Sequence, residues 1–250
     1  MRKILVPILG VPDPECTPKL TADGQQLDTG AAKILLNPFC EIALSKALDL
    51  KEGGSSVEVV AVTVGPPERV EQLRSALALG ADRAIHVETR ASLAAHILAI
   101  ALKAVVIAES PDLVLGGKQA VDSDRNEVLQ RLAALLDWPQ ACFASKIALG
   151  DGVVTVSCEV DVGRETVICD LPAVITADLR LVERTRFASL PGIMKARKKP
   201  VQQFSLEQLG VDVAPRVNVL RFEMLPGRSP VQLLPDVTAL VTILQKQGVL

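Results

Sequence analysis

The sequence predicts an α/β protein built on a Rossmann-like open parallel sheet. Short, continuously apolar runs alternate with stretches of helical spacing through the first half of the chain. The connections between them are short and carry Gly or Pro. Apolar residues make up 49% of the chain but aromatics only 2%, so a large core must be aliphatic. Strands that are apolar throughout suit a parallel sheet with helices on both faces. Right-handed crossovers then make an open sheet the economical topology, and ligands on such sheets sit at the carboxyl ends of the strands.

Taken in order, residues 4–9 form the first buried strand. Asn37 caps a helix that has Pro38 at its first position and Ile42, Leu44, Ala47 and Leu48 along it. Residues 57–64 are a second apolar strand, ended by Gly65-Pro66-Pro67. Val70, Leu73 and Leu77 keep helical spacing up to a stop near Gly80. Residues 84–87 make a short strand, and residues 92–107 a very apolar helix buried on more than one side. Residues 112–115 form a strand leading into Gly116-Gly117. A helix from about 122 to 137 follows, with Val128, Leu132, Leu135 and Leu136 on one face.

The pattern changes after Trp138. Residues 142–149, 153–160 and 165–169 alternate and are joined by Gly-containing turns, as in an antiparallel extension. Residues 173–177 return to a buried strand, followed by a basic segment. From residue 200 short apolar runs are broken by Pro215, Pro226, Pro230 and Pro235, ending in a helix over 237–247. The expected division is an α/β domain over 1–200 and a C-terminal arm over 201–250 that packs on another surface.

Composition excludes several functions. Few aromatics and a net charge of −2 argue against a nucleic-acid binder. The five cysteines are scattered without metal-ligand spacing, as for reduced thiols. His86 and His96 lack partners at metal spacing and read as structural. No apolar run reaches the ~20 residues of a membrane span, and the apolar start is too short and Pro-broken for a signal peptide. These features lead to the expectation of a soluble protein, cytoplasmic in a bacterium, with no targeting segment.

One strand–loop–helix unit carries chemistry. Gly116 and Gly117 permit a tight turn, the next helix start offers free N–H groups, and Lys118 adds a charge, a combination that suits a phosphate. Asp122 and Asp124 at the same place equally suit a plain capped helix. Cys40, at a helix N-terminus, is where a dipole lowers a thiol's pKa. No nucleophile–base pair or paired carboxylates can be assembled.

The run CEVDVGRETVICDLPAVITADLRLVERTRFASLPGIMKARKKP, residues 158–200, resembles the signature region of electron transfer flavoprotein β-subunits. LLNPFCEIALSKALDLKE, RSALALGADRAIHVET and DLVLGGKQAVDSDRNEVLQRLAALLDWPQACFAS agree in order and spacing. The similarity runs from Met1 to about Val213. It implies an adenine-nucleotide-hydrolase-like fold and a non-enzymatic electron carrier whose redox chemistry belongs to FAD. It also implies a heterodimer with an α-subunit that shares the FAD site, client flavoprotein dehydrogenases, and a quinone oxidoreductase as acceptor.

Carried over by position, the resemblance implies AMP, or a second FAD in bifurcating or nitrogen-fixation members, against Pro7, Asn37, Pro38, Phe39, Cys40 and Val64. The loop contacts would be Gly117, Lys118, Gln119, Ala120, Val121 and Asp122, then Ser123, Asp124, Arg125, Asn126, Glu127 and Val128. Segment 186–200 resembles a recognition loop in which an exposed leucine, here Leu190, anchors in a client's pocket. Pro191, Ile193 and Met194 flank it, and Lys195, Arg197, Lys198 and Lys199 would steer acidic partners. Without the resemblance this segment reads as a short amphipathic helix with a basic face.

The chain also departs from the family pattern. The usual Val-Lys-Arg then Asp-Tyr after the first strand reads Ile8-Leu9-Gly10-Val11-Pro12-Asp13-Pro14. Val64 stands where cysteine is common, and Val128 where threonine is frequent. A stand-alone ATP-dependent enzyme and a nucleotide-sensing homodimer are the alternatives from other classes.

Overall fold

The computed structural model describes residues 2–17, 19–25, 28, 30, 32–53, 56–212, 219–227 and 230–250. Pro215, expected to break the arm, lies outside these residues. The strands are β1 (Arg2–Pro7), β2 (Gly10–Pro12), β3 (Ile34–Leu36), β4 (Val57–Gly65), β5 (Arg83–Glu88), β6 (Leu113–Gly117), β7 (Gln140–Leu149), β8 (Val153–Val160), β9 (Gly163–Asp170), β10 (Ala173–Ala177) and β11 (Val201–Ser205). The helices are α1 (Pro38–Glu52), α2 (Val70–Leu79), α3 (Ala95–Glu109), α4 (Val128–Leu136), α5 (Leu190–Lys198) and α6 (Val237–Lys246).

Nine strands form one sheet in the order β11-β5-β4-β1-β6-β10-β7-β8-β9. The pairs from β11 to β7 are parallel, and β7-β8-β9 is an antiparallel extension, as the pattern change after Trp138 predicts. Strand periodicity explains the continuous apolar runs. Ile4 and Val6 face α1 and α2, packing with Leu44, Ala47, Leu73 and Leu77. Leu5 points the other way, into a cluster with Val60, Val62, Leu102 and Val106 beneath α3 and α4.

Three boundaries differ from expectation. The helix expected from 92 starts at Ala95. The helix expected from 122 starts at Val128, for reasons given with the site. Residues 201–205 form β11 and pair in register with β5, so the sheet extends past residue 200. The chain divides into a compact unit of Met1–Pro18 with Thr29–Asn218 and a second of Lys19–Asp28 with Val219–Leu250. In the second, the Phe222 amide donates to the Gly24 carbonyl at 2.8 Å. There α6 is capped by Asp236, whose carboxylate accepts from the Ala239 amide, and leaves Val237, Leu240 and Val241 exposed. Among the described residues no helix is long and apolar enough to cross a membrane.

The amino-terminal edge of the sheet carries a half-buried ion network. Glu109 accepts from Lys3 Nζ at 3.0 Å and from Arg83 Nη2 at 2.6 Å, while Arg83 Nε reaches Glu58 at 2.6 Å. The Arg83 hydrogen bond, aided by Lys3 and opposed by burial, holds the Glu109 carboxyl below its ordinary value of 4.5. Its stabilisation is therefore present above about 4.5 and is lost as pH falls through the lower folded value. Glu109→Gln is expected to cost about 1–3 kcal/mol at pH 7. In urea titrations its deficit should shrink steadily as the pH is taken below 4.5.

Candidate functional site

β1 lies between β4 and β6, so the chain leaves it toward opposite sides and a crevice opens at its carboxyl end. A cleft of about 240 Å³ occupies that crevice. Pro7, Ile8 and Leu9 form its floor with Val62 and Val64 of β4, and Leu98 and Leu102 of α3 close one side. Asn37 and Cys40 come from the start of α1. Gly117, Lys118, Gln119, Ala120, Asp122, Ser123 and Arg125 come from the loop after β6, followed by Val128 and Leu129. The wall is apolar and the rim polar, the usual make-up of a small-molecule site.

Asn37 organises the rim. It occupies the N-cap position with Pro38 next, as expected, but its side chain makes no capping bond. Instead Nδ2 donates to the Gln119 carbonyl at 2.9 Å, and Oδ1 accepts from the Val121 amide at 3.2 Å. The side chain is buried, so losing either bond would strand a polar group. Gly117 serves the same junction. A Cβ there would lie 2.7 Å from the Phe39 carbonyl carbon and 2.8 Å from the Cys40 amide nitrogen. Its glycine lets α1 close onto β6.

The loop from 118 to 127 folds on itself instead of starting a helix. The Ala120 amide donates to the Arg125 carbonyl at 3.0 Å, and Gln119 Nε2 to Asp124 Oδ1 at 2.7 Å. Asp124 is left-handed at φ 54°, which a helix does not accommodate. The carboxylates therefore shape a turn, and helical geometry begins only at Val128. Glu127, at the N-cap, turns its side chain to Arg131 at 2.6 Å, leaving the first turn of α4 without a side-chain cap. Asn126 accepts from Gln130 Nε2.

Lys118 is committed within the protein. Its Nζ donates to Asp178 Oδ2 at 2.9 Å and lies 5.1 Å and 5.3 Å from the Phe39 and Phe143 ring centroids. Burial pushes the Asp178 carboxyl up, but Lys118 and the Arg180 amide outweigh it and hold the group below its ordinary value. Phe143 reaches this place from a register shift in β7, with φ at 57° and its amide donating to Thr176 Oγ1 at 3.1 Å.

The structure thus gathers Pro7, Asn37, Cys40, Val64, Gly117, Lys118, Gln119, Ala120, Asp122, Ser123, Arg125 and Val128 around one cleft. Pro38, Phe39, Val121, Asp124, Asn126 and Glu127 support it without lining it. Leu98 and Leu102 are not among the residues singled out from the sequence, although their i,i+4 spacing on a mostly apolar helix is the signal that finds them. Asp178 and Phe143 are distant in sequence and gave none. Cys40 differs from the dipole argument: burial raises its thiol pKa, and only weaker hydrogen bonds, led by Asn37, oppose it. Among the described residues no group of three or more His, Cys, Asp or Glu could hold a metal.

Segment 186–200 is held at both ends. Arg186 reaches Asp49 at 2.5 Å and Glu52 at 2.6 Å on α1. Arg74 donates to the Ala196 carbonyl at 2.7 Å, and Lys199 to the Ala81 carbonyl at 2.5 Å. Gly192 lets α5 approach α2, because a Cβ there would lie 2.6 Å from the Ala78 carbonyl oxygen. Between these fixed ends Leu190 is 72% exposed, with Met194 and Ile193 beside it and Lys195, Arg197 and Lys198 outward.

A family model described as electron transfer flavoprotein domain matches residues 26–209. The chain is 44% identical to the mitochondrial electron transfer flavoprotein subunit beta of Arabidopsis thaliana over 98% of each chain. It is equally 44% identical over 98% of each to the subunit beta of Bradyrhizobium diazoefficiens. The Sus scrofa subunit beta is 48% identical over 77% of each chain. The expectation of a bacterial cytoplasmic protein does not stand, because relatives of equal similarity are named mitochondrial.

Two outcomes test this geometry. Gly117→Ala drives a Cβ into backbone and should cost about 2 kcal/mol or more in chemical denaturation. Exposed Cys16 should react with iodoacetamide at pH 8 well before buried Cys40.

Proposed function

This chain belongs to the electron transfer flavoprotein family, as a β-subunit, and from that premise we propose that it works as half of a heterodimer. In this reading it binds AMP in the crevice beside β1, completes the FAD site of an α-subunit, and docks on client dehydrogenases through Leu190. The acceptor downstream is a quinone oxidoreductase.

The observation that carries the reading is the cleft at the sheet's switch point, with its loop tied to α1 by Asn37. The residues fit an adenine nucleotide. Pro7, Val64, Leu98 and Leu102 offer an apolar wall to a purine. The first turn of α4, without a side-chain cap, offers N–H groups to a phosphate. Val64 and Val128 offer no polar contact, so affinity rests on backbone groups and on the loop that Asn37 holds. FAD, when bound, supplies the redox chemistry; this chain's residues orient, enclose and recognise. Exposed Leu220, Leu225, Leu233 and Val237 suit burial against the α-subunit.

The heterodimer, coexpressed and denatured, should release one FAD and one AMP identifiable by mass. Two FAD and no AMP would assign the bifurcating type, and steady ATP turnover by the isolated chain would reject the carrier. Leu190→Ala should lower kcat/KM with a client dehydrogenase about 10- to 100-fold, leaving flavin content unchanged.

A further inference from the structure

Position 10 is a glycine where the resemblance puts the second residue of a Lys-Arg pair. The structure shows what fills that space. A Cβ built on Gly10 would collide with Nη1 of Arg69, and would lie 2.9 Å from Ile34 Cγ2 and 3.0 Å from Gln72 Oε1. Arg69 comes from the turn between β4 and α2, so its guanidinium reaches this place from a different part of the chain. Gly65 helps it do so, since a Cβ there would lie 3.1 Å from Arg69 Cγ.

Among the described residues, Arg69 Nη1 and Gln72 Oε1 are buried and have no hydrogen-bond partner. Gln72 is 6% exposed, and its Nε2 is already used on the Ile34 carbonyl at 3.1 Å. A buried donor and a buried acceptor thus gather around Gly10 of β2, next in the chain to Leu9 of the cleft, and such groups cost stability unless something meets them. Burial pulls the guanidinium's pKa down, while the charges of Asp122 and Glu68 work against that. Asp122 lines the nucleotide cleft, so Arg69 lies within electrostatic reach of the cleft rim.

We infer that Arg69 is a relocated cation: it takes over from the basic side chain missing at position 10 and receives a phosphate oxygen of a bound nucleotide, with Gln72 positioning it. The inference rests on the nucleotide-binding reading above. Arg69 also offsets the negative charge that Asp122 places at the rim, which would otherwise repel a phosphate. The phosphate belongs either to the nucleotide in the cleft or to the pyrophosphate of FAD.

The test uses the coexpressed heterodimer, measuring AMP and FAD retention and Tm for Arg69→Gln, Arg69→Lys, and Arg69→Ala combined with Gly10→Arg. Loss of a charge-assisted bond predicts about 10- to 100-fold weaker retention for Arg69→Gln. A smaller loss is expected for Arg69→Lys, and recovery to within about threefold for the double variant. Loss confined to AMP assigns the cleft nucleotide, and loss confined to FAD assigns the pyrophosphate. Retention within about twofold for Arg69→Gln, or a double variant no better than Arg69→Gln, would overturn the inference. A wild-type heterodimer with neither nucleotide would instead overturn the reading on which it rests.

Discussion

The site depends on the strand order around β1. Because β4 and β6 flank β1, no crossover helix can cover its carboxyl end, and the sheet leaves a crevice there. A crevice alone does not hold a ligand: its loop must be fixed first, since ordering a loop on binding costs entropy. Asn37 supplies that order. One buried amide bonds both a carbonyl and an N–H of the loop, and makes no side-chain capping bond to α1. Gly117 then lets helix and strand close to backbone contact.

The same loop connects to the end of the neighbouring strand β10. Lys118 pairs with Asp178, and Asp178 also starts the turn at Leu179–Leu181 by accepting from the Arg180 amide. That turn leads into the segment whose ends Arg186 and Lys199 fix. The loop after β6 and the exposed Leu190 therefore hang from neighbouring parts of one framework. In the proposed docking role Leu190 would be a small apolar anchor, and a small anchor keeps encounters short-lived.

Most of the sheet was legible because its strands are buried on both faces. Residues 57–64 and 173–177 are apolar at almost every position, with Glu58, Thr63 and Thr176 the exceptions. The helices at 38 and 70 announced themselves through Pro38, Gly80 and 3.6-residue spacing. The start of α4 was misplaced because Asp122, Ser123 and Asp124 are cap residues by type, and only the left-handed Asp124 shows that they form a turn. β11 was hidden at an edge, where exposed Gln202 and Gln203 break the apolar pattern. In the site, residue types pointed to the loop and to the start of α1, and the resemblance supplied their joint role. The Lys118–Asp178 pair could not be read, since a contact across 60 positions leaves no local pattern.

The account's central claim is that the crevice beside β1, closed by the Asn37-held loop, is where an adenine nucleotide sits. A crystal structure of the flavin-containing heterodimer tests it most directly. It should show adenine density against Pro7, Val64 and Leu98, with Asn37 still bonded to Gln119 and Val121. Nucleotide density elsewhere on this chain, or a crevice filled by side chains of the α-subunit, would contradict it.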